Sequence, residues 1–400
     1  MDSYYRPTYI EVSLDALDHN IKAFRQSLAE DIAIVAVVKA DAYGHGAVEI
    51  SKQAIRSGAD YLAVAFLDEA LELRQAGIDA PILALGYTPP EGLELARRHG
   101  ITINVYSPEV LEAMALLHPA QPGEASALKV HVKIDSGMGR LGLHREDEAI
   151  AYIDRLLHMP GIEVEGLFTH YANADELDKT YTLEQHRKFT RVVNHFQSKG
   201  VHFRYIHAGN SAAAIDTPEL TYNMARLGIS MYGLYPSDEV ARSKIELKPV
   251  LSLKTGIVHL KTLPPGSGVS YGTKYYTTTD EKIATLPIGY ADGFSRMLSG
   301  KAQALIRGHK VPIVGRICMD QCMANVSEVP DVSQGDEVTL IGTQGGHTIT
   351  VEEVADQLGT INYEIICMIS HRVPRVYTRE GRVVQRINPL LRHVFHTFTM

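Results

Sequence analysis

The chain has 400 residues, of which 45% are hydrophobic and 22% are charged, and its formal net charge is −8. These values are typical of a soluble globular protein, and they exclude a disordered chain or a fibrous repeat. No basic stripe indicates a nucleic-acid interface, and three cysteines are too few for a disulfide framework. Because no apolar run is long enough for a signal peptide or a membrane span, we expect a cytoplasmic protein without membrane or nucleic-acid partners.

Short apolar runs alternate with helical spacing through the first 230 or so residues. Eight such β–α units predict an N-terminal (β/α)8 TIM barrel within an α/β protein, whereas the alternative, a doubly wound open sheet, would normally use fewer strands at this length. The predicted strands are Ala33–Lys39, Tyr61–Phe66, Pro81–Gly86, Ile101–Tyr106, Lys129–Asp135, Glu163–His170, Arg204–Ala208 and Asn223–Gly228.

Helical stretches are predicted between most of these strands. Asp68 and Ser107 are expected to be helix N-caps, and Gly77 and Gly200 are expected to stop helices. The predicted helices include Asp68–Ala76, Pro108–Leu117, Arg145–His158 and Leu183–Lys199.

The pattern changes after Pro236, where strand-like segments are separated by Gly- and Pro-containing turns. A chain of this length is expected to form two domains, so we predict a barrel over residues 1–242 and a mainly β C-terminal domain over residues 243–400. No function is assigned to the tail 389–400. The predicted elements are strands at Leu251–Lys261, Lys282–Leu286, Lys310–Arg316 and Glu337–Ile341 and a helix at Val351–Leu358.

Lys39 ends the first predicted strand, directly after four apolar residues. Partial desolvation there would lower its pKa and favour the neutral amine that Schiff-base chemistry requires. A lysine that merely extends from a strand end into solvent is the alternative. The following loop contains Tyr43 and two glycines, and it could approach a phosphate closely or be an ordinary turn.

Other polar residues stand where later barrel strands end, which is where barrel enzymes place their chemistry. Ser211 follows strand seven and Gly228 ends strand eight, so both could bind a phosphate, although Ser211 or Asn210 could simply cap a helix at Ala212–Ala214. Arg226 lies in an apolar strand, where an unpaired cation is costly. His170 could hydrogen-bond it or be an ordinary core histidine.

Lys133 and Arg140 flank a glycine-rich loop and could bind an anionic ligand, or Asp135 could neutralise both cations. In the second domain, Tyr271 would need nearby cations to act as a base, and it could equally be a surface or interface residue. The spacing of Cys318 and Cys322 lacks a second ligand pair, so we predict no metal site.

Together these residues resemble the alanine racemase family. The segment Val37–Gly46, which contains Lys39, is similar to that family's cofactor-lysine motif, and the resemblance continues in the same order through nearly the whole chain. The further matching segments are Asp135–Gly142, Arg226–Gly233, Val269–Gly272, Ile288–Gly293, Gly315–Gln321 and Thr360–Glu364.

The resemblance implies a pyridoxal 5′-phosphate (PLP) enzyme that interconverts L- and D-alanine by a two-base mechanism and supplies D-alanine for peptidoglycan. It implies a head-to-tail homodimer in which Tyr271 and Met319 enter the partner's active site. Lys39 would bind PLP and act as the base for D-alanine, and Tyr271 would be the base for L-alanine.

The remaining site residues are also assigned by the resemblance. Arg226 would face the pyridine nitrogen, supported by His170, and Arg140 with the Met319 backbone N–H would bind the substrate carboxylate. Lys133 matches a lysine that is carbamylated in many members. The phosphate ligands would be Tyr43, Ser211, Gly228, Ile229 and Tyr363.

Two other functions are compatible with parts of this pattern. A decarboxylase on the same scaffold would use a C-terminal cysteine in an acidic motif, whereas Cys318 here stands in Ile-Cys-Met-Asp-Gln. A non-catalytic PLP carrier would be a single barrel, and the second domain with Tyr271 argues against it.

Overall fold

The computed structural model describes residues 3–117 and 127–391, so most of the tail that received no function lies outside the described residues. The chain forms two compact units. The first comprises residues 16–42 and 47–248. The second comprises the first 15 residues, residues 43–46 and everything from residue 249 onward.

Eight parallel strands form the sheet of the first unit, and each runs beside its neighbours. Two backbone hydrogen bonds close the sheet where its first and last strands meet: Asn223 N, just before the last strand, donates to Ile206 O (3.3 Å), and Arg226 N donates to Gly209 O, just after the first strand (3.1 Å). The predicted (β/α)8 barrel is therefore confirmed. Its strands are β2 Ala33–Val37, β3 Tyr61–Val64, β4 Ile82–Ala84, β5 Ile101–Val105, β6 Leu128–Lys133, β7 Ile162–Phe168, β8 Tyr205–His207 and β9 Met224–Leu227. They lie side by side in the order β8-β7-β6-β5-β4-β3-β2-β9.

Helices alternate with these strands and bury one face each. In Glu146–Leu157, for example, the buried residues are Ala149, Tyr152, Ile153 and Leu156, at the three- and four-residue spacing of an amphipathic helix. Within the described ranges, no helix combines the length and apolarity needed to cross a membrane. The helices in this part of the chain are Leu14–Ser27, Ala47–Arg56, Leu67–Gln75, Leu93–Arg98, Pro108–Ala115, Glu146–Leu157, Thr180–Gln197 and Ser211–Asp216.

Three of the four predicted helix-end signals are confirmed. Ser107 accepts a hydrogen bond from Val110 N at 3.3 Å, and Gly77 and Gly200 follow helix ends with φ of +76°. Asp68 is not an N-cap, because the helix begins at Leu67. Glu69 takes over that function, since its carboxylate accepts from the backbone N–H groups that precede the helix.

The second unit is mainly β, as predicted, and most strand pairs of its large sheet are antiparallel. Strand β1 (Tyr9–Ser13) precedes the barrel in sequence but pairs with β10 (Leu251–Gly256) and β20 (Arg375–Arg379) of this sheet. The sheet order is β11-β14-β17-β16-β15-β18-β10-β1-β20-β21, with β19 added to β18. Its strands are β10 Leu251–Gly256, β11 His259–Leu263, β14 Glu281–Leu286, β15 Gln303–Ile306, β16 His309–Val314, β17 Cys322–Asn325, β18 Glu337–Gln344, β19 His347–Ile349, β20 Arg375–Arg379 and β21 Arg382–Ile387.

The predicted strand Leu251–Lys261 is in fact two strands. The chain changes partners at Ile257, whose N–H donates to Asp336 O, so β10 pairs with β1 and β18 whereas β11 pairs with β14. A small two-stranded sheet, β12 (Gly268–Val269) with β13 (Tyr275–Tyr276), flanks the turn that carries Tyr271. The predicted helix Val351–Leu358 is confirmed, and a second helix, Asn362–Cys367, was not predicted.

Candidate active site

Lys39 lies just beyond the carboxyl end of β2, where it is half-buried. The four residues after it, from Ala40 to Tyr43, all have φ between 52° and 54°, the left-handed region that non-glycine residues rarely adopt. Side chains hold this turn, since Glu69 accepts from Ala40 N at 2.7 Å and Asp41 accepts from Ala47 N at 2.8 Å. Such strain is typical of functional sites. The two hydrogen bonds that hold the turn also fix the backbone that carries Lys39.

Arg226, in β9 next to β2, is only 4% exposed and is surrounded by neutral acceptors. Its Nη1 atom donates to His207 Nδ1 at 2.8 Å, and its Nη2 atom donates to His170 Nδ1 at 3.0 Å. Nη2 also contacts the carbonyl oxygens of Thr169 and Ala208. Burial lowers the pKa of Arg226 to about 10, which still leaves the guanidinium charged at neutral pH. Arg226 is therefore a rigidly held cation within the barrel.

His170, which is partly buried, and Lys133, which is buried, are neighbours of this cation, and the pKa of each is lowered. Burial, and then the charge of Arg226, place the pKa of His170 well below its ordinary value. The same causes, followed by Arg140, place the pKa of Lys133 well below that of a free lysine. Lys133 Nζ lies 4.2 Å from the centre of the Phe168 ring. Because His170 accepts at Nδ1, its proton is on Nε2.

The loop that follows β6 is shaped by Asp135. Its Oδ1 atom accepts from the N–H groups of Gly137 and Gly139, each at 3.0 Å. Over residues 127–391, no ion pair joins Asp135 to Lys133 or Arg140, and the Asp135 carboxylate instead accepts the two loop hydrogen bonds. Arg140 itself is exposed.

The loops after β8 and β9 are joined by Ser211. Its Oγ accepts from Gly228 N at 2.9 Å and from Ser230 N at 3.4 Å. Asn210, not Ser211, caps the helix Ser211–Asp216, because its side chain accepts from the backbone N–H of residue 213. The Oγ atom of Ser230 is buried and has no hydrogen-bond partner within the described chain. Ile229 follows Gly228 and opens a short 3-10 turn. These loops can therefore accept a polar group from a ligand.

Tyr43 and Tyr363 lie together in the second unit, with ring centres 6.3 Å apart. Burial, and then the nearby Tyr363 phenol, raise the pKa of Tyr43, so its hydroxyl remains protonated. Gly44 allows close packing beside them, because a Cβ at that position would lie 2.3 Å from Ile366 O. Tyr363 stands on the unpredicted helix Asn362–Cys367.

Two further residues hold this loop, and sequence reasoning did not identify them. Arg375 donates to Gly44 O, and the Tyr377 hydroxyl donates to His45 O at 3.0 Å. A Cβ on Gly46 would lie 1.9 Å from the Tyr377 hydroxyl, so only glycine fits there. An arginine and a tyrosine two residues apart, with a valine between them, were the available signal. His207 was also not identified as a site residue, although it lies within the predicted strand Arg204–Ala208.

Tyr271 and Met319 are exposed side chains of the second unit, at 74% and 54%. Ser270, with φ of 66°, anchors the Tyr271 turn by donating from Oγ to Arg316 O at 2.6 Å. The carbonyl of Met319 accepts from Ala291 N at 3.0 Å. Both side chains are thus exposed on a backbone that hydrogen bonds hold in place.

Comparison with known proteins identifies the family. Residues 12–236 match the profile of the alanine racemase N-terminal domain, and residues 250–377 match that of the C-terminal domain. The chain belongs to the alanine racemase family. It is 47% identical to the alanine racemase of Clostridium tetani, over 96% of this chain and 98% of that protein.

Solved structures of the family agree. The alanine racemase of Bacillus anthracis with bound L-Ala-P is 44% identical, with a TM-score of 0.91, over 97% of this chain and 99% of that one. A histidine racemase from Leuconostoc mesenteroides is 32% identical, with a TM-score of 0.87, over 94% of this chain and all of that one. The shared scaffold therefore serves racemases of more than one amino acid, and the chain is an enzyme of the racemase class.

Proposed function

We propose that the chain interconverts L- and D-alanine with PLP bound through Lys39, and that Lys39 and Tyr271 are its two acid–base groups. The observation that carries this is the arrangement of β2 and β9. These strands are neighbours, with Val35 opposite Arg226, and the left-handed turn fixes Lys39 at the carboxyl end of β2. The identity to the Clostridium tetani alanine racemase, 47% against 32% for the histidine racemase, supports alanine as substrate.

The residues present fit PLP. Its phosphate would be held by Tyr43, Ser211, Gly228, Ile229 and Tyr363, and the buried Ser230 hydroxyl lacks a partner next to that set. Arg226 would hold the pyridine nitrogen, with His170 supporting it. When bound, PLP withdraws electrons from the substrate α-carbon, which makes the α-hydrogen acidic.

Racemisation requires a proton to leave one side of the α-carbon and another to arrive on the opposite side. Lys39 Nζ would exchange the proton on the D-alanine side, and the Tyr271 hydroxyl would exchange it on the L-alanine side. Tyr271 is 74% exposed on a single chain, which supports its insertion into the site of a second copy. We therefore propose a head-to-tail homodimer with shared active sites.

The substrate carboxylate would be bound by Arg140 and by the backbone N–H of the partner's Met319, because ionic hydrogen bonds orient an anion firmly. Lys133 is buried and its pKa is lowered, which favours the neutral amine, the form that adds carbon dioxide and releases a proton to become a carbamate. That negative charge would hold Arg140. Tyr271 and Tyr363 would narrow the pocket in favour of small side chains.

The product, D-alanine, would supply peptidoglycan synthesis. A host in which this gene is inactivated, and which has no second racemase, is expected to require D-alanine for growth. Growth without D-alanine in such a host would contradict this role, although it would not contradict the reaction itself.

The reaction is tested by incubating the purified protein with L-alanine and following chirality. The parent is expected to form equal amounts of both enantiomers and to retain a borohydride-fixed label on Lys39. Lys39→Ala should lose both the racemisation of alanine and the borohydride-fixed label. Lys261→Ala, at an exposed position, should keep both. A colourless parent that cannot be reconstituted with PLP would overturn the proposal.

The shared site is tested by mixing two inactive variants, Lys39→Ala and Tyr271→Phe, under conditions that exchange subunits. Each hybrid dimer would contain one site with both bases intact. A 1:1 mixture should then recover about a quarter of the parent activity, since half of the dimers are hybrids with one good site. No recovery despite proven exchange would show that both bases come from one chain.

A further inference from the structure

Four buried side chains form a continuous row across the inside of the barrel. The row runs from Arg226 Nη1 to His207 Nδ1 (2.8 Å), from His207 Nε2 to His131 Nδ1 (2.8 Å), and from His131 Nε2 to Glu165 Oε2 (3.2 Å). Both histidines are completely buried, and Glu165 is 3% exposed. Of these residues only Arg226 has a role in the reaction proposed above.

The direction of every hydrogen bond in this row is set by Arg226. A guanidinium can only donate, so His207 Nδ1 must carry a lone pair and His207 Nε2 must carry the proton. That proton is donated to His131 Nδ1, which leaves the His131 proton on Nε2. The row must therefore end in a pure acceptor, and the Glu165 carboxylate is one.

Glu165 is ionised, and both histidines are neutral. Burial would raise the pKa of Glu165, but hydrogen bonds from His131 (3.2 Å), Tyr61 (2.9 Å) and Lys129 (3.1 Å) lower it. Burial places the pKa of His131 below its ordinary value and that of His207 well below it. The row thus joins a buried anion to a buried cation through two neutral rings.

The surrounding structure leaves room for this row and little else. A Cβ on Gly166 would lie 2.9 Å from His131 Cε1 and 2.8 Å from Tyr205 O, so any side chain there would collide with the ring or its support. His207 stacks on Phe168, with centroids 4.8 Å apart and planes 8° from parallel. The two rings therefore cannot easily turn over.

We propose that His131 and Glu165 are positioning residues for Arg226. They fix the His207 tautomer, so that Arg226 Nη1 always has an acceptor and the guanidinium keeps one orientation. This inference rests on the proposed role of Arg226 at the cofactor nitrogen. Neither His131 nor Glu165 would contact PLP or the substrate, and their effect on the reaction would pass through His207 alone.

Histidine tautomers provide a readout that does not depend on activity. In ¹⁵N NMR spectra of the PLP-loaded parent, His131 and His207 are expected to be neutral, protonated at Nε2 and unprotonated at Nδ1. Their signals can be assigned among the 18 histidines by His131→Gln and His207→Gln variants. If either ring of the parent is protonated at Nδ1, the proposed direction of the row is wrong.

Two substitutions at Glu165 separate its charge from its ability to accept. Glu165→Gln keeps an acceptor oxygen, so the tautomers should stay as in the parent. Glu165→Leu removes the acceptor, so the His207 signals should shift or show both tautomers. In Glu165→Leu, kcat should fall about tenfold while KM for alanine changes by less than about twofold. This pattern is expected if the orientation of the Arg226 guanidinium is disturbed and substrate binding is kept.

Glu163→Gln is the matched control, because Glu163 is an exposed glutamate on the same strand. It should change neither the tautomers nor kcat. Unchanged His207 signals and kcat in a folded Glu165→Leu variant would overturn the proposal. If Glu165→Leu does not fold, the test rests on the tautomers of the parent and of two other variants, Glu165→Gln and Tyr61→Phe. Both variants should keep His131 and His207 protonated at Nε2, and a change of tautomer in either would contradict the proposal. A parent that racemises alanine but has the wrong tautomers refutes only this inference, and an inactive parent refutes the proposed function.

Discussion

Arg375 donates two hydrogen bonds, from Nε (3.1 Å) and Nη2 (3.0 Å), to the carbonyl oxygen of Gly44, a residue 331 positions away in sequence. The guanidinium is 2% exposed, and its remaining donors reach carbonyl oxygens of Ser370, Val373 and Ile369. Arg375 thus fastens the loop after Lys39, and with it Tyr43, to the end of β20.

Replacing Arg375 by lysine should loosen this loop. Lysine keeps the charge but cannot reproduce the planar fork, so several buried carbonyls would lose their donors. We expect a loss of unfolding free energy of about 2 kcal/mol or more and faster release of PLP. Denaturant unfolding and the fluorescence of released PLP measure the two effects. Arg382→Lys, at an exposed position on β21, is the control and should change neither. Unaltered PLP release from Arg375→Lys would contradict the assigned function of this contact.

Tyr271→Phe should separate the two proton transfers. Net racemisation needs both bases, so its rate falls in both directions, and only solvent exchange at the α-carbon resolves the two sides. In D₂O the variant should still exchange the α-hydrogen of D-alanine through Lys39. Exchange from L-alanine should fall by about 100-fold or more, the usual contribution of a general base.

The comparison variant for this measurement is Tyr276→Phe, since Tyr276 is an exposed tyrosine of β13 close in sequence. It should exchange both enantiomers at the parent rates. Equal exchange of L- and D-alanine by Tyr271→Phe would show that the hydroxyl is not the base on the L-alanine side.

The barrel was predictable because its strands are buried on both faces and consist of apolar runs such as Ala33–Val37 and Tyr61–Val64. The change of partner at Ile257 was not, because the residues on either side of it have similar strand propensity and only tertiary pairing separates β10 from β11. The N-terminal strand β1 was missed for a similar reason, since its partners lie more than 200 residues away.

The candidate site was predictable to a different extent. Lys39, Arg226 and His170 stand out as polar residues at the ends of apolar strands. His207, His131 and Glu165 lie within strands, where a single sequence does not distinguish an isolated core histidine from a member of a hydrogen-bonded row. The left-handed turn from Ala40 to Tyr43 was also unpredictable, because its residues have no local preference for positive φ.

Gly289→Ala should disturb the loop that carries Met319. A Cβ at position 289 would lie 2.2 Å from Cys318 O and 2.4 Å from Met319 O, so the loop must move. The φ of Gly289 is −152°, which any residue can adopt, so the effect would come from lack of space alone. We expect a loss of stability of about 2 kcal/mol or more and a raised KM for alanine.

Gly266→Ala is the control for this substitution. Gly266 has φ of +81°, and a Cβ at that position would have no other atom within 4 Å, so alanine there should cost only about 1 kcal/mol of backbone strain and leave KM unchanged. A normal KM in Gly289→Ala would show that the Met319 loop does not take part in binding the substrate carboxylate.

Lys133 should make stability depend on pH. Burial, and then Arg226 and Arg140, lower its pKa in the folded chain, so between that value and its unfolded value of about 10.4 the unfolded state binds more protons. Unfolding free energy should therefore rise with pH in this window, by at most about 1.4 kcal/mol per pH unit. Below the folded pKa, the buried amine must be charged and this contribution to stability is lost.

Lys133→Met should remove this slope, because methionine fills similar space without a titrating group. Urea unfolding of parent and variant in carbon-dioxide-free buffers between pH 6 and 10 would measure it, since a carbamate would otherwise replace the amine. Lys261→Met, at an exposed position, should keep the parent slope. If parent and Lys133→Met have the same pH dependence, the Lys133 pKa is not lowered in the folded chain, and the neutral amine required for carbamate formation at neutral pH would be missing.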